Sequence, residues 1–199
     1  MAKRMTSQNS VNLSKDGLEQ ANKAATGKSL PPVHLWNPPF CGDLDMQIKR
    51  DGTWVHEGGT INRPEMVRMF SSILKLEDGK YFLVTPVEKV GITVEDAPFV
   101  AVDIDSEGDS DAQVLRFTTQ VGDSVVADPT HPIRFATDQM TGDPATYVMV
   151  RAGLEARLDR KSFYRLVDLG IEQDVDGTAM FGVMSSGTFF ALMPTSALN

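Results

Sequence analysis

The sequence predicts an α+β protein made of duplicated β-β-α-β units with curved antiparallel sheets. Three observations predict it. Short alternating apolar stretches recur between turn residues, the pattern of strands in antiparallel sheets. Two predicted helix starts have matching flanks, Ile61-Asn62-Arg63 and Leu158-Asp159-Arg160, with Arg68 and Arg165 further along. Two later segments share one frame: Gly79-Lys80-Tyr81-Phe82-Leu83-Val84-Thr85-Pro86 and Gly187-Thr188-Phe189-Phe190-Ala191-Leu192-Met193-Pro194. Recurrence of both features in one order is the mark of an internal repeat.

Taken in order, Ser14 to Ala25 reads as a short helix with Leu18, Ala21 and Ala25 on one face, ended by Pro31-Pro32. Met46-Gln47-Ile48 and Thr53-Trp54-Val55-His56 read as a hairpin around Asp51-Gly52, a pair suited to a type I′ turn. Asn62 is the expected helix cap, with Glu65 completing a capping box and Ile61 and Met66 a hydrophobic staple. Met69, Phe70, Ile73 and Leu74 continue the apolar face. Tyr81 to Val84 is the next strand. In the second copy, Tyr147 to Val150 and Leu154 to Leu158 form the hairpin. Asp159 caps a helix whose stripe is Phe163, Leu166, Val167 and Ile171. Thr178 to Val183 reads as an additional strand. Between the copies lie strands at 90–94, 98–102, 114–119, 124–127 and 133–135. These assignments give a tail at 1–32 with a short helix, a first unit at 33–104 and a second at 105–199.

The net charge is −8, so an extended nucleic-acid surface is not expected. Asp103, Asp105, Glu107, Asp109 and Asp111 crowd into one short stretch, read as a solvated loop. The single cysteine, Cys41, excludes an intrachain disulfide and fits a reducing compartment. No signal-peptide or membrane-span pattern is present, so the expected location is cytoplasmic.

No motif names a reaction. Cys41 with His34, His56 or His131 lacks a nucleophile signature, and the Trp36-Asn37-Pro38-Pro39-Phe40 segment is expected to pin Trp36 and bury Cys41. No spacing of Cys and His fits a metal site. Glu88, Glu95 and Asp96 are candidate acid–base carboxylates only if their surroundings split their pKa values. Glu95-Asp96 otherwise reads as a turn or an ion-pair partner of Lys89. Arg63 and Arg160 each read as the first helical residue, where a cation opposes the helix dipole: each reads either as an ion-pair partner of a strand carboxylate or as holding an anion jointly with free helix N–H groups.

The stretch from Pro31 to about Leu158 resembles a bacterial family, the domain-of-unknown-function family numbered 1285. The resemblance rests on Trp36-Asn37-Pro38-Pro39-Phe40-Cys41-Gly42-Asp43, Asp51-Gly52-Thr53-Trp54, Val84-Thr85-Pro86-Val87-Glu88-Lys89, Glu95-Asp96-Ala97-Pro98-Phe99, His131-Pro132 and Arg151-Ala152-Gly153-Leu154-Glu155. It implies a duplicated α+β core whose second half is superficially similar to pleckstrin-homology folds. It also implies a role in signalling and a ligand pocket between the halves, without catalytic residues.

The resulting expectation is a non-enzymatic binding or sensor module for a small anionic, nucleotide-like ligand in bacterial signal transduction. It needs no cofactor or metal. The expected ligand-binding residues are Lys89, Glu88, His131, Arg151, Arg63 and Arg160, placed where the halves meet. The alternatives are a hydrolase-type enzyme using Cys41 or a carboxylate, and a protein–protein adaptor.

Overall fold

The structure is a computed structural model that describes residues 12–25, 29–109, 112–138 and 140–197. The described residues fall into two compact units, one within 12–49 and 53–95, the other within 50–52 and 96–197. Asp111 of the acidic run lies outside the described residues.

The first unit begins with helix α1 (Lys15–Ala24), capped by the Ser14 hydroxyl, which accepts from the Gly17 N–H at 3.1 Å. Of the expected face, Ala21 is buried. The helix ends at Ala24, well before Pro31-Pro32. A 3-10 turn (Val33–Leu35) leads to β1 (Phe40–Ile48), β2 (Trp54–His56) and β3 (Gly59–Thr60). Helix α2 (Pro64–Ser72) follows, then β4 (Leu74–Glu77), β5 (Lys80–Val84) and β6 (Lys89–Val94). These strands form one sheet in the order β3-β2-β1-β6-β5-β4. Its buried face carries Met46, Ile48, Leu74, Leu83 and Val90. Trp54 stacks on Phe70 of α2 with ring centroids 6.1 Å apart.

The second unit holds β7 (Phe99–Glu107), β8 (Val114–Thr119), β9 (Ser124–Val126), β10 (Ile133–Thr137), β11 (Pro144–Arg151) and β12 (Leu154–Leu158). Their order is β10-β11-β12-β7-β8-β9. Helix α3 (Arg160–Asp168) precedes a separate three-stranded sheet of β13 (Ile171–Val175), β14 (Thr178–Ser185) and β15 (Thr188–Pro194). Phe99, Ile104, Leu115, Phe117, Leu154 and Leu166 are among its buried residues.

Hairpin, helix and closing strands therefore recur in one order, consistent with α+β architecture and duplicated units. Several finer expectations are corrected. Each large sheet contains a parallel pair, β1 with β6 and β12 with β7, among otherwise antiparallel neighbours. Local alternation does not encode pairing between strands distant in sequence. Asp51-Gly52 is not a two-residue turn: the Lys49 N–H donates to the Thr53 carbonyl at 2.8 Å, leaving a three-residue loop with Gly52 at φ +84°. The acidic run is not a loop from its start, because Asp103, Asp105 and Glu107 lie on β7.

The two helix starts also differ. Asp159 caps α3 as expected, its carboxylate accepting from the Ser162 N–H at 2.7 Å. At α2 the cap is Arg63, not Asn62, and no side chain caps the helix. Pro64 is the reason: a residue before proline is pushed out of helical geometry, and Arg63 sits at φ −106°, ψ 104°. Arg63 is thus outside the helix, while Arg160 is the first helical residue. Ile171 likewise leaves the expected helical stripe, because α3 stops at Asp168 and Ile171 opens β13.

Replacing Asp159 by Ala should cost about 1 kcal/mol of stability, the usual loss for a side-chain cap. Asn62→Ala should change stability by less than about 0.5 kcal/mol, as for an exposed residue without such a role. Urea denaturation of the two variants checks the asymmetry.

Candidate functional site

Alternation along β4 puts Lys75 and Glu77 on the sheet face opposite the buried Leu74. Asp78 and Gly79, at φ 49° and 74°, form a tight turn that pairs Lys75 with Phe82 and Glu77 with Lys80. Phe82 pairs in turn with Gly91 on β6, and Lys89 stands two residues before Gly91 on the same face. Lys89 reaches from β6 across the middle strand. Its ammonium lies 5.0 Å from the centre of the Phe82 ring and 2.7 Å from Glu77 Oε2. Lys75 binds the other oxygen, Oε1, also at 2.7 Å, and donates to the Trp36 carbonyl at 3.3 Å.

Both lysine side chains are about one-fifth exposed, at 19% and 18%, so they are partly desolvated but can still be reached from solvent. The shared carboxylate leaves the triad with a net charge of +1. Hydrogen bonds from Lys75 and then Lys89 hold the Glu77 carboxyl below its ordinary pKa. Each ammonium has three N–H donors, and Glu77 takes one from each. The patch continues in aromatic surface. Phe40, 54% exposed, meets Phe82 edge to face with centroids 6.0 Å apart. Gly91 leaves its place on this face empty of side chain, and the Asp43 carboxylate lies over it beside the Phe40 ring.

Of the expected site residues, only Lys89 falls in this cluster. Glu88 accepts instead from the Ser14 N–H at 2.8 Å and the Ser14 hydroxyl at 2.7 Å, anchoring the start of α1. Arg63 is exposed at the start of α2. In the second unit, His131 Nδ1 lies 3.2 Å from Asp128 Oδ1, within a turn that also holds Thr130. Arg151 pairs with Asp123 at 2.5 Å and lies over Phe99. Arg160 lies over Tyr164 and donates to its hydroxyl at 3.4 Å. The expected pairing of Lys89 with Glu95-Asp96 does not form: Glu95 binds Lys49 and Asp96 binds Arg157. Lys75, Glu77, Phe82 and Phe40 were missed by sequence reasoning. The signal was Lys75-Leu76-Glu77, charges at alternate positions on a strand before a tight turn.

Cys41 is exposed, against expectation. It sits on β1 at an irregularity between Phe40 and Gly42, so alternation does not turn it inward. Its thiol contacts the Pro39 carbonyl at 3.5 Å.

The second unit has a larger ionic network with a different balance. Asp138, whose side chain is 1% exposed, accepts from the Met140 N–H at 2.9 Å and the Thr141 N–H at 3.3 Å. It also binds Arg50 and Arg157. Arg157 continues to Asp96, Asp96 accepts from Tyr147, and Arg134 covers the Tyr147 ring and binds Glu155 through two nitrogens. Three arginines face three carboxylates, so the network is electrically closed. The Met140 N–H, then Arg157, hold the Asp138 carboxyl at about 2 against the opposing effect of burial. A cleft of about 350 Å³ elsewhere in this unit is lined by Ile104, Asp105, Ser106, Arg165, Asp168 and Leu169. Arg165 is engaged by Asp103, and the two remaining carboxylates disfavour an anion there.

Among the described residues, no group of three His, Cys, Asp or Glu is placed to hold a metal ion, and no helix is long and apolar enough to cross a membrane. Fold and surface together describe a two-unit α+β protein with a lysine–aromatic patch on the first unit.

The N-terminal domain model of the family described as a domain of unknown function, DUF1285, matches residues 31–97. The C-terminal domain model, described as a protein of unknown function, DUF1285, matches residues 98–192. The chain belongs to the DUF1285 family. It is similar to the crystal structure of a DUF1285 family protein from Silicibacter pomeroyi DSS-3, with 60% identity over 93% of this chain and 99% of that one, at a TM-score of 0.82. A second, from Shewanella baltica OS155, is 28% identical over 62% of this chain and 91% of that one, with a TM-score of 0.49. No curated protein matches the chain.

The Asp138 pairing sets a pH dependence. Its folded pKa is depressed to about 2 from the ordinary 3.8. Its contribution is therefore complete above about pH 4 to 5 and is lost as pH falls through 2. Asp138→Asn should lower stability at neutral pH, and the gap from the unaltered protein should close on acidification. Urea midpoints measured from pH 6 down to pH 2 check this.

Proposed function

We propose that this protein is a non-enzymatic sensor module for a small, nucleotide-like anion in bacterial signal transduction. The observation that carries the proposal is the Lys75–Glu77–Lys89 triad, two partly desolvated cations sharing one carboxylate beside the half-buried Phe82 ring and the exposed Phe40 ring. The phosphate of such a ligand is taken by the two ammonium groups. Its base lies on Phe40 and Phe82, and Asp43 accepts from a sugar hydroxyl, while disfavouring additional negative charge on that side. In the same proposal the second unit is a pleckstrin-homology-like scaffold, a fold-level analogy that by itself assigns no ligand.

A hydrolase reading is favoured by one observation, the exposure of Cys41. Against it, the contact the thiol makes among the described residues is to a backbone carbonyl and not to a histidine base that could form the thiolate.

Inorganic phosphate, AMP and ATP should be compared by thermal shift and calorimetry. The nucleotides should raise the melting temperature more than phosphate does. A charge-assisted contact is worth about 1.5–3 kcal/mol, so Lys89→Gln should weaken nucleotide binding about ten-fold or more. Arg134→Gln, in the second unit's network, should leave binding unchanged. Absence of any nucleotide shift, or equal binding by Lys89→Gln, rejects the proposal.

A further inference from the structure

The second unit contains a strand with no counterpart in the first. In the first unit α2 ends at Ser72 and β4 begins at Leu74, directly before the strand that opens on the Gly79 turn. In the second, β14 holds the equivalent place before the Gly187 turn, and β13 is inserted between it and α3. All five residues of β13 are exposed. It pairs with β14 and forms the edge of a three-stranded sheet. An edge strand presents alternate backbone N–H and C=O groups outward. A strand wet on both faces gains little from burial.

The side chains of β13 divide cleanly between its faces. Ile171, 44% exposed, and Val175, 38% exposed, share one face with Gln173. On that face Gln173 is paired with the half-buried Met180 of β14. Glu172 and Asp174 occupy the other face, and Asp176 follows in the turn. From Leu169 to Asn199 the chain has these three carboxylates and no Lys, Arg or His. The edge is therefore acidic on one face and carries Ile171 and Val175 on either side of Gln173 on the other, with no base of its own segment beside it.

We propose that the β13 edge is a docking site for an extended basic peptide segment of a partner protein, which adds as a further strand. Charge selects this occupant. Pairing of β13 with β13 of a second copy, antiparallel about Gln173, sets Glu172 against Asp174 twice. In-register parallel pairing sets Glu172 against Glu172 and Asp174 against Asp174. Like charges directly opposite destabilise a strand pair. The carboxylates thus disfavour those pairings with a second copy and pairing with acidic strands. A strand with Lys or Arg opposite Glu172 and Asp174, and β-branched residues opposite Ile171 and Val175, satisfies both faces and the backbone. This is strand addition, in which the backbone supplies affinity and alternate side chains supply choice.

The test uses the whole chain and a labelled peptide alternating lysine and valine. Fluorescence anisotropy gives affinity, and amide chemical shifts locate the contact. The peptide should bind and perturb residues 171–175. Replacing its lysines by glutamate, or N-methylating alternate backbone nitrogens, should each weaken binding by about ten-fold or more. The variant E172K/D174K should reverse the preference and take the glutamate peptide. If that variant loses its circular dichroism, E172Q/D174Q should instead show the lysine peptide weakened by about ten-fold. The proposal fails if the lysine peptide does not bind, if the N-methylated peptide binds as well, or if charge changes at 172 and 174 have no effect. It also fails if the free protein self-associates and protects 171–175.

Discussion

Strand register is the constraint on which the rest of this structure depends. A slip of one residue moves every side chain of a strand to the opposite face. At Asp78-Gly79 two consecutive positive φ angles make a turn whose twist matches the flanking strands. That turn fixes Lys75 opposite Phe82, with Leu74 and Leu83 on the buried side. A slip would bury two charges and expose two leucines. Comparable turns at Glu57-Gly58, Ala152-Gly153, Asp176-Gly177 and Ser186-Gly187 pin four further hairpins. Short turns thus determine which charges are available and which are not.

With the faces fixed, the two units treat charge differently. In the second unit Asp138 is almost wholly enclosed, yet it has two backbone donors and two arginines, so its charge is compensated where water is excluded. Removing one partner from such a network leaves a buried charge, which makes it a structural feature. In the first unit two lysines share one carboxylate, and the excess cation lies beside aromatic rings. The arrangement is stable without a ligand because Glu77 offsets much of the repulsion between the ammonium groups. The triad keeps one positive charge, and the Asp43 carboxylate lies on the same face beside Phe40.

How much of this was legible in the sequence follows from the range of each interaction. Asp159 was readable because a cap reaches only a few residues along the chain. The hairpins and most strands were readable because alternation and turn chemistry are local. The cap at Asn62 was misread because Pro64 acts on the residue before it and displaces the helix start by one. Cys41 was misplaced because the irregularity after Phe40 is set by pairing with β6, far along the chain. The candidate site was read only through Lys89. Its partner Glu77 stands two strands away, and that neighbourhood exists only once β4, β5 and β6 are in register.

The two copies differ in how their closing strands join the hairpin. Both contain hairpin, helix and a strand pair around a Gly turn. In the first, the chain continues into β6, whose parallel pairing with β1 joins the closing strands to the hairpin in one sheet. In the second, the hairpin strand β12 finds its parallel partner in β7, which precedes it. The closing strands are then not needed to complete that sheet and form one of their own. A separate sheet has two edges where a joined one would have given one to the hairpin. An inserted strand can occupy such an edge without disturbing a core, which is why β13 can be exposed along its whole length while Leu166 and Val183 stay buried. Duplication followed by a different choice of parallel partner thus turns one joined sheet in the first copy into two sheets in the second, the smaller with β13 at its edge.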